Sequence, residues 1–156
     1  MEFHVEDSPD PGDIDELETQ IRREASAAMG LGDEIELAIF VRDAGRVVAG
    51  ISGWTWGDCC ELQSLWVKPS LRGHGLATAL IAAAEAEAAK RGCTQTVHFT
   101  YGFQARELYQ RNGYELAGQV ENFPTGTDVL WYRKRLATAV PTASARDAAL
   151  QLGAGG

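Results

Sequence analysis

The feature that most limits how this chain can fold is Arg72-Gly73-His74-Gly75-Leu76-Ala77, standing between a strand-like run, residues 61–68, and a long alanine-rich helical run that ends before Gly92. Two glycines permit a tight turn in which backbone approaches an anion with no Cβ in the way. The opening turn of the helix presents amide N–H groups that lack an internal partner, and Arg72 adds a fixed positive charge. Strand, loop and helix in this order read as a cradle for pyrophosphate. No Gly-Lys-Ser/Thr follows the glycines, which sets aside a P-loop. A dinucleotide fingerprint would open the first βα unit and be followed by further parallel βαβ units, a pattern this chain does not show.

Periodicity organises the remainder. Residues 2–5 read as a short first strand and residues 9–12 as a turn. Asp13 or Asp15 then caps a helix to about Met29, with Ile14, Leu17, Ile21 and Ala25 or Ala28 at spacings of three and four, and Gly30 and Gly32 end it. Residues 34–42 and 46–56 pair across Asp43-Ala44-Gly45, and Gly57-Asp58 leads into the strand carrying Glu61, so an antiparallel meander is expected. The helix after the loop places Leu76, Leu80, Ala83 and Ala84 on one face and Glu85, Glu87 and Lys90 towards solvent, with Gly92 at its end. Residues 94–100 form the next strand. A right-handed crossover makes it parallel to the Glu61 strand, with the loop at the carboxyl ends of both, where a ligand should sit. Residues 103–112 give a short helix, and residues 114–119 and 129–135 a closing hairpin.

Leu65-Trp66-Val67-Lys68-Pro69 enters the glycine loop, and Ala105-Arg106-Glu107-Leu108-Tyr109-Gln110-Arg111-Asn112-Gly113-Tyr114 follows one strand after the helix. Together these segments resemble the GNAT superfamily of N-acetyltransferases. The first is similar to its pyrophosphate motif, R/Q-x-x-G-x-G/A, and the second to its A-x-x-L-Y-x-x-x-G-F/Y signature. The resemblance covers about residues 3–136 and implies an α+β fold: a mixed, mostly antiparallel sheet flanked by helices. It implies one catalytic domain, residues 1–136. Residues 137–156, rich in Ala, Thr, Ser and Gly, read as a disordered tail with little apolar area to offset the cost of ordering.

The same resemblance implies acetyl-CoA as co-substrate and a primary amine of a small molecule or peptide as acceptor, acetylated by direct attack in a ternary complex. Arg72, Gly73, His74, Gly75, Leu76, Ala77 and Thr78 would hold the pyrophosphate. The backbone of Leu65, Trp66 and Val67 would pair with the pantetheine arm like an added strand and offer an amide to the thioester carbonyl. Gly102 stands where many relatives carry an asparagine that contacts the arm, and Gln104 is the candidate substitute. Tyr109 would give a proton to the departing thiolate. An alkylamine with a pKa near 10.4 must lose a proton before it attacks, and Glu61 is the leading base, with Asp58 and Glu121 in reserve. Trp54, Trp56 and Phe123 are candidates for the acceptor pocket, His74 for a solvent-facing loop residue and His98 for a buried strand residue. A homodimer is a family-level expectation. The alternative is a non-catalytic acyl-CoA-binding or partner-binding module, which would dispense with Glu61 and Tyr109.

Composition narrows the partners. Fourteen basic against twenty-two acidic residues give a net charge of -8, which argues against non-specific nucleic-acid binding and mildly favours cationic acceptors. No apolar stretch approaches the roughly 20 residues needed to span a bilayer, and the N-terminus lacks a signal-peptide pattern, so no membrane association and a cytoplasmic location are expected. Cys59, Cys60 and Cys93 are odd in number and not a disulfide framework, and the scattered His4, His74 and His98 suggest no metal site.

Overall fold

A computed structural model describes residues 3–102 and 106–137. Six strands form one sheet in the order β1-β2-β3-β4-β6-β5: β1 (Ile35–Asp43), β2 (Arg46–Trp56), β3 (Cys59–Val67), β4 (Gln95–Tyr101), β5 (Glu115–Val120) and β6 (Val129–Arg135). The first three make the expected meander, β3 and β4 are parallel, and all other neighbours are antiparallel. This mixed sheet with its helices is the α+β architecture that the resemblance implies.

The helix α2 (Leu76–Lys90) makes the β3-to-β4 crossover and covers one face of the sheet. Its alanines have high helix propensity and let it lie close to the strands. The buried stripe is Leu80, Ile81, Ala84 and Ala88: Leu80 and Ala84 are buried as predicted and Leu76 is partly buried against the core, whereas Ala83 is exposed and Ile81 and Ala88 take its place. Leu80 and Ile81 each contribute roughly 1.5–3 kcal/mol by leaving water. Glu85 also departs from expectation: it is mostly covered, because Lys134 of β6 reaches across to it and pairs Nζ with its carboxylate at 2.6 Å. The Cys60, Leu62, Leu130 and Tyr132 side chains complete the core beneath α2.

On the opposite face lies α1 (Pro11–Met29), which starts earlier than Asp13. Asp10 is its N-cap, accepting from the Gly12 amide at 2.7 Å, and Pro11 fits the first turn because its missing N–H would be unpaired there anyway. Gly30, in the left-handed conformation at φ 65°, closes the helix as predicted. The apolar residues that mark its periodicity are not buried: Ile14, Leu17 and Ile21 are exposed, and Ser26 is the buried residue of the helix. Polar ties hold α1 instead. Trp56 Nε1 donates to Ser26 Oγ at 3.2 Å and to the Gly32 carbonyl at 3.0 Å, and Arg22 lies 3.6 Å from Glu34.

The predicted first strand does not form within residues 3–6, where Phe3 and Val5 are exposed, and β1 is the sheet's edge. Two alternating apolar residues are too few to hold a strand without a packed face beneath them. The short helix α3 (Arg106–Arg111) lies within the predicted 103–112 span. Gln104 and residues 138–156 of the predicted tail lie outside the described residues.

Candidate active site

A cleft opens where β3 and β4 part. Their pairing covers only Cys59↔Gln95 to Leu62↔His98, whereas on its other side β3 stays paired with β2 as far as Val67. Residues 63–67 therefore present one backbone edge with no strand beside it. The parting begins at a bulge: Ser52 pairs with Ser64 and Gly53 with Leu62, leaving Gln63 as the extra residue of β3. Gly53 is required there, because a Cβ would overlap the Glu61 carbonyl oxygen. A cavity of about 780 Å³ fills the cleft, walled by Leu65, Trp66 and Val67 on one bank and His98, Phe99 and Tyr109 on the other.

The glycine loop closes one end of this cleft. A second cavity of about 420 Å³ adjoins it, sharing Val67, Arg72, Ala77 and Leu108 and adding Gly73, Gly75 and Thr78. Gly73 and Gly75 have φ of 79° and 80°, and no side chain caps the start of α2, so its first amides are left for a ligand. Arg72 folds back so that Nε donates to the Val67 carbonyl at 2.9 Å, tying the loop to the strand end. His74 is exposed, its Nδ1 2.8 Å from the Arg72 carbonyl, as a loop residue facing solvent should be. Arg111 also lines the phosphate-side cavity, a second guanidinium that the sequence reading missed. Its signal was a basic residue two positions after Tyr109 on the same short helix. Asn112 Nδ2 donates to the Leu108 carbonyl at 2.8 Å and to Thr78 Oγ1 at 3.4 Å, joining the end of α3 to the first turn of α2.

Tyr109 is buried yet lines the cleft, its ring stacked 4.3 Å from His98 and 5.7 Å from Tyr132 and met edge-on by Tyr114 at 5.6 Å. Burial pushes its phenol well above the ordinary value, so the hydroxyl keeps its proton at any physiological pH. His98 is buried in β4 as expected, with Nδ1 2.5 Å from the Leu62 carbonyl, and burial holds its imidazole below the usual value.

Glu61 is half-buried on the face of the sheet towards α1, paired with Trp54 and Val97. Burial raises its carboxyl above the ordinary range; a hydrogen bond from Gln63 pulls it back, and the Glu34 carboxylate adds a smaller upward push. It lines neither the cleft nor the cavity of about 630 Å³ between α1 and β1–β3, which is walled by Glu18, Arg22, Glu34, Ser52, Trp54 and Gln63 among others. Gln63 is the residue common to both spaces. Asp58, a reserve base, accepts from Thr94 Oγ1 at 3.1 Å at the far end of β3, and Glu121 is exposed in the β5–β6 loop. Of the aromatic candidates, Trp54 lines the α1 cavity, Trp56 is committed to Ser26 and Gly32, and Phe123 is exposed. At Gly102, the amide donates to the Asp128 carbonyl at 2.7 Å, and a Cβ would come 3.3 Å from Thr127 Oγ1.

A parallel pair splayed over a glycine loop and helix N-terminus is shared with known proteins. The sequence model of the acetyltransferase (GNAT) family matches residues 2–114. The chain belongs to the GNAT family. Acetyltransferase Atu2258 of Agrobacterium fabrum is 34% identical over 110 residues, which span 70% of this chain and 80% of that protein. Blasticidin-S acetyltransferase of Streptomyces morookaense is 39% identical over 88 residues, 54% of this chain and 62% of the relative. The crystal structure of an acetyltransferase from Agrobacterium tumefaciens superposes with a TM-score of 0.80 at 30% identity, covering 87% of this chain and all of that one. The GNAT fold is therefore established for the described residues, and its relatives are acetyltransferases. Among the described residues no helix is long and apolar enough to cross a membrane.

Proposed function

We propose that this GNAT protein transfers the acetyl group of acetyl-CoA to a primary amine of a small molecule or peptide by direct attack. The observation that carries the reading is the cleft itself, which has a phosphate-ready loop at one end, an unpaired β3 edge along one bank and a phenol on the other. The first-turn amides of α2, with Arg72 and Arg111, are placed for the pyrophosphate. The free edge of residues 63–67 suits the amides of a pantetheine arm, and one of its N–H groups can stabilise the thioester oxygen as it becomes an oxyanion.

The neutral amine attacks the thioester carbonyl carbon and forms the C–N bond. Collapse of the tetrahedral intermediate breaks the C–S bond and releases coenzyme A thiolate. Tyr109, whose hydroxyl carries its proton at physiological pH, supplies the proton that makes it a thiol. The proton lost by the amine goes to Glu61. Because that carboxylate lines neither cavity, the transfer runs through an ordered water at the bulge, with Gln63 as a hydrogen-bond partner that orients it. Around the α1 cavity Glu18, Asp33, Glu34 and Glu36 stand against Arg22 and Arg23, a small excess of carboxylates that favours an acceptor arriving as a cation. The named relative that acetylates blasticidin S makes an antibiotic or another compact amine a reasonable acceptor class to screen.

Tyr109→Phe tests the reading. It should lower kcat about 10- to 100-fold with an accepted amine while leaving acetyl-CoA affinity, read by calorimetry, within about twofold. Unchanged turnover would remove the phenol from the mechanism, and no turnover by the parent with any amine or peptide would favour the non-catalytic binding module.

A further inference from the structure

We propose that Phe99, on the β4 bank of the cleft, and Trp131, its neighbour on β6, form a subsite for a flat ring of the acceptor, so that the acetylated amine is carried on an aromatic or heteroaromatic body. The inference rests on the reading of acetyl transfer above and names the substrate class it serves.

Strand register places these rings. Trp56 reaches α1, so the Trp54–Trp56 face of β2 is the α1 side of the sheet, and Glu61 shares it through its pairing with Trp54. Glu61 neighbours Val97, two residues along β4 is Phe99, and Phe99 pairs with Trp131 of β6. Burial agrees: Thr96, His98 and Thr100 point into the core, whereas Gln95, Val97, Phe99 and Tyr101 are only partly covered. The proposed base and the aromatic pair thus lie on one side of the sheet.

Phe99 and Trp131 sit 5.3 Å apart, tilted by 42°, and Trp131 is 40% exposed. Trp66, on the opposite bank, is on the same face two residues beyond Ser64 and is 46% exposed. A single exposed aromatic residue needs no explanation, but here the rings border both banks of a cavity in which the acetyl group is to be delivered. Phe99 lines that cavity and Trp131 extends the surface outward, so a ring resting on the pair stays continuous with the reaction point. Aromatic pairs in offset or edge contact gain stabilisation beyond the area they bury, a gain that an alkyl chain resting on the same rings lacks. The α1 cavity beyond Gln63, where Glu18, Asp33, Glu34 and Glu36 outnumber Arg22 and Arg23, has a small excess of negative charge for the arriving amine.

Equilibrium titration of the full chain, saturated with unreactive coenzyme A, tests this with two probes: tryptamine, a primary amine on a flat ring, and cadaverine, an aliphatic diamine. Tryptamine should bind about tenfold more tightly than cadaverine, and Trp131→Ala should weaken tryptamine roughly five- to tenfold while moving cadaverine less than about twofold. Trp131→Phe should restore most of the loss. Trp131→Leu keeps apolar bulk for folding but removes the π-face, and should behave like the alanine variant. No measurable tryptamine binding, or equal weakening of both probes, would overturn the subsite. A ring preference that depends on Trp131 without acetylation of either amine would keep the subsite and count against acetyl transfer; turnover of cadaverine with no ring preference would do the reverse.

Discussion

The two halves of the cleft are built differently. The proposed cofactor half is made largely of backbone: an unpaired edge of β3, two left-handed glycines and the uncapped start of α2, all within residues 63–78. The proposed acceptor half is made of side chains contributed by α1, β1, β2, β4 and β6, from Glu18 to Trp131. Backbone geometry is encoded by a short local pattern, so the first half can be read from one motif. A side-chain surface gathered from distant segments has no such signature, and small changes in α1 or β6 can alter it without disturbing the fold.

That contrast predicts separable effects. The largest should come from Gly75→Glu, which puts a side chain at φ 80° and a negative charge beside the pyrophosphate position. Acetyl-CoA affinity should fall by about 100-fold or more, while amine binding measured without cofactor persists. Loss of both would mean the halves are not independent.

Glu61→Gln should come next, lowering kcat/KM about 10- to 100-fold near neutral pH with cofactor affinity retained. The carboxyl is active only when ionised, and its value is raised, so activity in the parent should climb as pH rises through a point above the ordinary carboxylate value near 4.3. A pH–rate profile should show that limb vanish in the variant, leaving only the rise that follows deprotonation of the acceptor. If the limb survives, another group is the base.

The smallest effect is expected at Arg111→Ala, which removes the second guanidinium of the phosphate-side cavity. A loss of roughly fivefold in acetyl-CoA affinity, shrinking as salt is raised, would mark it as a phosphate contact. An unchanged salt dependence would make Arg111 a bystander and leave the cofactor half to the loop alone.

Much of the framework was legible because local signals were strong. The Asp43-Ala44-Gly45 turn set the first hairpin, and the glycine loop between strand and alanine-rich helix predicted the parallel β3–β4 pair. Where a prediction depended on what packs against a segment, it was less secure. The start of α1 moved to Asp10, its apolar stripe is exposed, and Glu85 is covered by Lys134, because each outcome depends on partners far away in the chain. Glu61 could be placed on β3 from sequence, but not behind the Gln63 bulge that separates it from the cleft.

By itself, then, the sequence determined the order of elements from α1 onward, the glycine loop and the family, since turn geometry and glycine conformation are local properties of a few neighbouring residues. Only the tertiary structure decided where β3 and β4 part, that Gln63 stands between two cavities, that Arg111 joins the loop, and that Trp131 meets Phe99 beside them. Strand register and helix packing bring those residues together, and such long-range pairings leave no periodic trace in the chain.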